Sequence, residues 1–549
     1  MARLDRLGPI AREVAQIGAV IGREFGFDLI ELVAQRPVAD LETGLDRLTE
    51  AGLLFCRGVA KQSSYLFKHV LVRDTAYSTL LRRRRRELHL RVAAVIAERF
   101  PQLAQTHPEL VAQHYTEADC KEQATAYWYE AGRQANARFA IREAVAHFTK
   151  GIQLLAALPE NQARDRRELE FQLALLVPLI AMYGFGSDQV EGCAGRAKDL
   201  GDRCGDAQRR FVARRFVWNS CLLRRPLPQT VALARSLMDF AREDNDTARL
   251  AIAHRALGYS THITGAQPDA DELLATGASL ADSVSEAAFA VYGEDPGVIC
   301  RAYRGQVRCL RGFLDDAARL ADTAVTHART RNSPFILAWS LIVAAQTHLF
   351  RRDASASEQA AQQAITLSRE HQLPQWMAFG QQCLGWVLCQ QGDWHRGIEL
   401  QREALDSLHA TGSLLHTTRF RLHLAESFLA IGEVEQSRVY LNAAFAHLQT
   451  YREAYLAAEL HLAKIKMLKA EGAPDDALKQ PIQMGLDVAR SQGARLLELR
   501  LAVWVARLWR GQGRPVEARN LLAPIYGRFT EGFDAPDLKE AKALLDELI

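Results

Sequence analysis

The 549-residue chain lacks most of the features from which chemistry is built. It contains no Gly-Lys dipeptide, and a phosphate-cradling loop of the G-x-x-x-x-G-K-[ST] type needs that lysine after its last glycine. No G-x-S-x-G nucleophile elbow occurs either. The nine cysteines stand singly, with no C-x-x-C pair, which favours reduced thiols over a disulfide framework. His254 and His262 lie eight apart and His416 and His423 seven apart, but no cysteine or carboxylate joins them in a zinc-site pattern. No catalytic residue, cofactor or metal is expected. Charge of one sign is missing too: 68 Lys and Arg against 65 Asp and Glu leave +3, so no overall field favours nucleic acid or a membrane. The longest apolar run, Leu173 to Met182, is interrupted by Pro178 and falls far short of the roughly 20 residues of a membrane span. Charges interleave in the first residues, unlike a signal peptide, and the expected location is the cytoplasm.

What the chain does have is a period. Turns are predicted near Arg225, Gly265, Gly312, Arg352, Gly392, Gly432, Gly472 and Gly513, spaced by 40, 47, 40, 40, 40, 40 and 41 residues. Five residues after each turn stands a small side chain: Thr230, Ala270, Ala317, Ser357, Gly397, Ser437, Ala477 and Ala518. Twelve after, the series is Leu237, Gly277, Ala324, Ala364, Ala404, Ala444, Met484 and Ile525. Seven before, from the second turn on, it is Gly258, Gly305, Ala345, Gly385, Ala425, Ile465 and Ala506. Small residues at these offsets let antiparallel helices approach closely, and a fixed period of this size marks a helical-hairpin solenoid. The long spacing holds Ser283–Gly297, in which Asp295 and Pro296 are placed to cap and start the next helix. The final segment puts Leu538, Ala541, Leu544, Leu545 and Leu548 on one face, as a terminal cap requires.

Residues 1–100 read differently. Three short helices (Ile10–Gly18, Asp28–Val33, Asp40–Ala51) precede a β-like pair, Leu53–Cys56 and Ser64–Phe67, split by the polar turn Arg57–Ser63. A long helix from His69 to about Phe100 is expected to close this unit, the order of a winged helix. Residues 101–225 read as degenerate hairpins. Ala112, Ala124 and Ala131 repeat the small-residue offsets around Asp119, and Gly132, Ala144 and Gly151 repeat them around Phe139. Gly184, Gly186, Gly192 and Gly195 break the pattern. Residues 226–549 form the regular array and its cap.

The 40-residue units resemble tetratricopeptide repeats. The strings Ala15-Gln-Ile-Gly-Ala-Val-Ile-Gly-Arg-Glu-Phe25, Leu45-Asp-Arg-Leu-Thr-Glu-Ala-Gly-Leu-Leu54 and Phe67-Lys-His-Val-Leu-Val-Arg-Asp-Thr-Ala-Tyr77 resemble the winged-helix region that follows the nucleotide-binding domain of bacterial STAND-type signalling ATPases. Gly293-Glu-Asp-Pro-Gly297 and the segment 521–533 are similar to the repeat region of members fused to class III adenylate/guanylate cyclase domains. The resemblance implies an all-α solenoid behind a small winged-helix-like domain. The ATPase and cyclase motifs are absent, so those activities do not carry over.

Candidate site residues follow from the repeat. In such an array the first helix of each pair lines the concave side. The position six before each turn reads Tyr259, Gln306, Gln346, Trp386, Glu426, Lys466 and Arg507. Thirteen before, it reads Ile252, Ile299, Trp339, Phe379, Arg419, Glu459 and Arg500. Tyr259, Gln306, Trp339, Gln346, Phe379, Trp386 and Glu426 are therefore the expected binding residues, suited to a peptide or small polar ligand. The run Arg82, Arg83, Arg84, Arg85, Arg86 is a candidate contact to another domain or to phosphate. It lies after the ribbon, and not on the third helix, whose Asp40, Glu42, Asp46 and Glu50 repel DNA. His69, at the foot of the ribbon, reads as a hinge hydrogen-bonder. The expected function is a non-enzymatic sensor or scaffold that binds a ligand or protein partner in the groove and relays to an ATPase or cyclase module. The alternative is a DNA-binding regulator with the repeats as effector domain.

Overall fold

The computed structural model describes residues 4, 6–58, 62–290, 292, 294–331 and 333–548. Among the described residues the fold is all-α apart from one small sheet. Among the described residues no helix is long and apolar enough to cross a membrane. The chain divides into two compact units, Met1–Pro178 and Leu179–Ile549. This is coarser than the three segments 1–100, 101–225 and 226–549, and its border falls inside the helix Gln162–Tyr183.

The first unit begins with α1 (Gly8–Ile21), β1 (Glu24–Gly26), α2 (Phe27–Ala34), α3 (Val38–Glu50), β2 (Leu54–Arg57) and β3 (Ser64–Phe67). Leu41, Leu45 and Leu48 of α3 are buried and Glu42, Asp46 and Glu50 exposed, as the helical period requires. Gly52 ends α3 at φ +66. β2 and β3 pair antiparallel with Leu54 opposite Phe67, while β1 pairs with the other edge of β3, Phe25 opposite Tyr65. Sequence reading misses β1 because three residues are too few to show alternation. The expected turn Arg57–Ser63 lies partly outside the described residues.

The expected single helix from His69 to Phe100 is two helices, α4 (Val70–Ser78) and α5 (Arg82–Arg99). Hydroxyl competition supplies the physical reason. Ser78 Oγ donates to Thr75 O (2.9 Å) and Thr79 Oγ1 to Ala76 O (2.6 Å), taking carbonyls that would continue the ladder. Gln16 Nε2 donates to Thr79 Oγ1 (2.8 Å), fixing that hydroxyl from α1. His69 is the exposed, extended N-cap of α4, and its side chain makes no capping bond.

Three side chains meet inside this unit. His89 Nε2 lies 2.9 Å from Tyr77 Oη, and its Nδ1 lies 2.8 Å from Nδ1 of His114, on the helix Pro108–Glu117. The following helices keep the expected small-residue contacts: Ala112, Ala124 and Ala131 are buried, and the rings of Phe148 and Phe171 pack on Gly132 and Gly151.

The second unit is the repeat array. After Asp188–Cys204 come the pairs Ala207–Arg224 with Leu227–Asp244, Thr247–Thr264 with Gln267–Asp282, and Pro296–Leu310 with Leu314–Arg329. Then follow Pro334–Phe350 with Ala354–Glu370, Pro374–Gln390 with Trp394–Ala410, Thr417–Ala430 with Val434–Tyr451, Ala457–Ala470 with Asp475–Ser491, and Arg495–Gly511 with Pro515–Tyr526. Pro536–Glu547 closes it, with the stripe Leu538, Ala541, Leu544, Leu545, Leu548 buried. Gly265, Gly312, Arg352, Gly392, Gly432, Gly472 and Gly513 are all left-handed. Arg225 is extended instead, because Pro226 follows it. Gly184, also left-handed, and Gly186 lie between helices, whereas Gly192 and Gly195 sit within Asp188–Cys204 and break nothing.

One expected register is corrected. In the pair Ala457–Ala470/Asp475–Ser491, Ala477 and Met484 are exposed, and Leu478 and Gly485 face the partner instead. The extended Pro474 delays the helix start, so every packing position moves one residue on.

Two predictions follow from this packing. A Cβ on Gly397 would stand 2.6 Å from Gly385 O and 3.0 Å from Cys389 N, main-chain atoms that cannot step aside. Gly397→Ala is expected to cost about 1–3 kcal/mol, read as a lower urea midpoint with unchanged m-value. In the first unit, burial first, then Arg85, lowers His89 to about 4. Burial, then the neighbouring His89, lowers His114 to about 3. Both take up protons near pH 6.5 when unfolded. Their contribution to stability is therefore full above about pH 6.5 and is lost as pH falls through about 4 to about 3. Thermal melts across that window should show the loss, and His89→Leu/His114→Leu should flatten it.

Candidate functional site

The inner face of the array is enclosed, because main-chain groups of turns distant in sequence bond to one another. Leu414 N–H donates to Leu223 O (2.8 Å), and Ala454 and Tyr455 N–H both donate to Ile263 O (3.0 and 3.2 Å). Gln492 Nε2 donates to Ala454 O (2.8 Å), and Tyr451 Oη donates to Arg224 O. Most of the expected groove residues are thus interior. Tyr259, Gln306, Trp339, Gln346 and Phe379 are 1–8% exposed, and only Trp386 and Glu426 are half-buried.

The array holds a smaller and a larger cavity. The smaller, about 50 Å³, is ringed by aromatic groups. Tyr259 and Tyr303 stack with centroids 4.0 Å apart, and Trp339 and Trp376 with centroids 5.2 Å apart. Trp339 Nε1 donates to Tyr303 Oη (2.8 Å), which ties the two pairs together. His416 closes the ring, its Nε2 2.8 Å from Tyr259 Oη and its Nδ1 3.2 Å from Tyr455 Oη. Burial, then Arg419, holds His416 well below its usual pKa, and burial raises Tyr259 well above its own. Both are neutral hydrogen-bonding partners here. Gln306 lies beneath, donating to Gln346 Oε1 (2.6 Å), and lines neither cavity.

The larger cavity is about 590 Å³ and draws on the inner helices of five successive pairs plus the closing helix. Gln346, Trp386, Arg419, Glu426, Glu459, Lys466, Arg500 and Arg507, all at inward positions read from the repeat, line it. Trp386 stacks on His423 at 4.2 Å, and Gln382 Nε2 holds His423 Nδ1 at 2.6 Å. Burial, then Arg419, keeps His423 neutral. The closing helix adds Asp537 and Glu540. Lys466 pairs with Glu426 (3.0 Å), Arg507 with Glu540 (3.2 Å), and Arg352 with Glu540 (2.8 Å) and Asp537 (3.3 Å). Arg500 bridges Asp537 (3.0 Å) and Glu459. Burial works against its charge, but these two carboxylates outweigh that and raise its pKa. Exposed Arg352, Ala430, Arg507 and Pro536 form the rim, and buried Val387, Arg419, His423 and Leu499 the floor.

No family model matches the chain. It is 22% identical over 515 residues to an uncharacterized protein of Rhizobium meliloti (strain 1021), covering 91% of this chain and 49% of that protein. The chain thus spans about half the length of the curated relative it matches. Among solved structures it is similar to a Rap protein complexed with competence and sporulation factor (12% identity, TM-score 0.47, 68% of this chain, 99% of that one). It is also similar to a STAND protein with a tetratricopeptide repeat sensor from Pyrococcus horikoshii (11%, TM-score 0.37, 88% and 63%). The quorum sensor NprR from B. thuringiensis gives 11% and a TM-score of 0.39 over 66% and 98%. Likenesses this distant fix neither ligand nor activity.

Repeat reasoning missed Tyr303, Trp376, His416 and His423. Tyr303 and Trp376 lie four after Ile299 and three before Phe379, on the same helix faces. Widening the inward stripe by one turn finds them. The seven-residue spacing of His416 and His423 did signal a shared face.

The arginine run lies in the first unit and is largely engaged there. Arg83 pairs with Glu87 (3.2 Å), Arg84 with Glu13 and Glu87 (3.5 Å each), and Arg86 with Asp119 (3.1 Å). Arg85 packs over the Tyr77 ring at 4.3 Å and donates to Tyr77 O (3.4 Å) at the end of α4 and to Leu80 O (3.2 Å) in the turn that follows. Arg82 is exposed. These pairs offset the repulsion between five cations and the positive end of α5.

The long spacing in the repeat hides a buried charge. Asp295 accepts from Val298 N–H (3.0 Å) and caps Pro296–Leu310 as expected, although Gly293 of that string lies outside the described residues. Glu294, 6% exposed, sits between Arg215 (2.9 Å) and Arg255 (2.5 Å). Arg255 lies over Trp218 and also lines the smaller cavity. Removing the carboxylate leaves two buried guanidinium groups facing one another. Glu294→Ala is expected to destabilise by about 3–5 kcal/mol. Denaturant unfolding measures this, and a loss below about 1 kcal/mol would show that the triad is dispensable.

Proposed function

We propose that the chain is a non-enzymatic sensor whose array binds a ligand in the larger cavity and relays occupancy to a nucleotide-binding ATPase or cyclase module. One observation carries this reading: inward positions of five successive helix pairs converge on one cavity of about 590 Å³. That volume lies within the roughly 300–1,000 Å³ of small-molecule sites. Its walls mix indole rings with convergent polar groups, and its floor is buried while its rim is exposed. Enclosure by turn-on-turn contacts favours a small ligand, or the end of a peptide, over a long peptide laid along an open groove. The winged-helix reading of α1 to β3 supports the relay, with the paired arginines of α5 as a domain-facing surface, and nucleic acid is not required.

Trp386, Trp394 and Trp504 line the cavity and give the test a signal. A panel of small metabolites and short peptides should produce a saturable change in tryptophan fluorescence for at least one class. Trp386→Ala should weaken that binding at least about tenfold while leaving the helical circular dichroism unchanged. Calorimetry with ATP and magnesium should give no binding heat, and micromolar affinity for ATP would reject the reading.

A further inference from the structure

Arg419 is the outlier among the charges of the larger cavity. The four carboxylates there, Glu426, Glu459, Asp537 and Glu540, each answer one or more of Arg352, Lys466, Arg500 and Arg507. Arg419 is 2% exposed, and its Nε, Nη1 and Nη2 all lack a hydrogen-bond partner. Nearby His416 and His423 stay neutral, partly because Arg419 repels a second positive charge. A guanidinium cannot shed its proton, and leaving it buried and unpaired costs several kcal/mol. Buried charges that persist are paired or hydrogen-bonded, so the missing partner of Arg419 has to enter from the cavity it lines.

We propose that Arg419 anchors an anion subsite on the cavity floor, and that the ligand is a small monocarboxylate with an aromatic or apolar body. The inference rests on the reading of this cavity as the binding site. Three features select the class. The planar guanidinium fork matches a carboxylate with two parallel hydrogen bonds. Only one cation is left unanswered, so one negative charge is required; a polyphosphate would bring further charges against the four carboxylates. The Trp386 ring, held by its stack on His423, and the nearby Trp504 offer flat apolar surface for the body of the ligand.

The test compares phenylacetate, its neutral amide phenylacetamide and inorganic phosphate by calorimetry on the full chain. Phenylacetate should bind saturably, the amide at least about tenfold more weakly, and phosphate more weakly than phenylacetate. Arg419→Met should reduce phenylacetate to the level of the amide, and Arg419→Lys should restore part of the difference. A thermal melt without ligand supplies an independent readout. Because the methionine removes an unanswered charge, Arg419→Met should melt at or above the unmodified chain, and phenylacetate should raise the melting temperature of the unmodified chain alone. Equal binding of acid and amide, absence of saturable phenylacetate binding, phosphate binding more tightly than phenylacetate, or an Arg419→Met variant that melts lower would each overturn the subsite. If acid and amide bind equally and Trp386→Ala abolishes both, the subsite fails while the cavity stands as the binding site. If no ligand of any class acts through Trp386, the reading of the cavity fails as well.

Discussion

The array depends on hydrogen bonds to main-chain carbonyls that reach between parts of the chain 150 to 227 residues apart in sequence. The last carbonyls of a helix have no partner within it. At Leu223 and Ile263 those carbonyls accept from the amides of Leu414, Ala454 and Tyr455. Two needs are met together: the helix ends are satisfied, and one turn of the array is held against another. Everything inside follows. Once the turns touch, the inner helix faces around the smaller cavity are closed from solvent, so they carry rings that pack and neutral groups that bond one another. Tyr259, Tyr303, Trp339, Trp376 and His416 are that solution, and the larger cavity is the space it leaves open.

Much of this was legible in the sequence because it is local and periodic. The 40-residue spacing placed seven left-handed turns, and counting back from them identified positions that line the two cavities. The failures are equally local in cause. Pro474 shifted one pair by a residue, so Gly485 and not Met484 packs. Ser78 and Thr79 broke a helix whose hydrophobic pattern gave no warning. The closure of the array was not legible, because no short-range pattern reports that Leu414 meets Leu223. For the same reason sequence reading did not show how deeply Tyr259, Gln306, Trp339, Gln346 and Phe379 are buried.

Two buried charge clusters show different answers to the same electrostatic demand. At Glu294 the longer connection between repeats brings a carboxylate between Arg215 and Arg255, so the extra residues of the 47-residue spacing serve packing as well as capping. Glu294 Oε1 is left without a hydrogen bond, yet the cluster is closed off by Tyr292 O on Arg215 (2.7 Å) and by Trp218 beneath Arg255. Arg419 has no such companion, although Glu459 and Glu426 stand in the same cavity. Those two are committed to Arg500 and Lys466. The sequence thus places enough acid in the cavity to answer every cation but one.

The cavity is built from parts that are not neighbours in the chain. Arg352 at the end of Pro334–Phe350 meets Asp537 and Glu540 of the closing helix, and Arg500 donates to Phe350 O. A ligand seated between these walls adds contacts to both, so its binding free energy adds to the bonds that hold the turns together. The dependence is reciprocal: any change that loosens the turns separates the walls and weakens the ligand by the same free energy. A solenoid with an open groove has no such link, because each pair of helices touches only its neighbours. On the proposed reading, enclosure is what couples occupancy of the cavity to the contacts that hold the turns together.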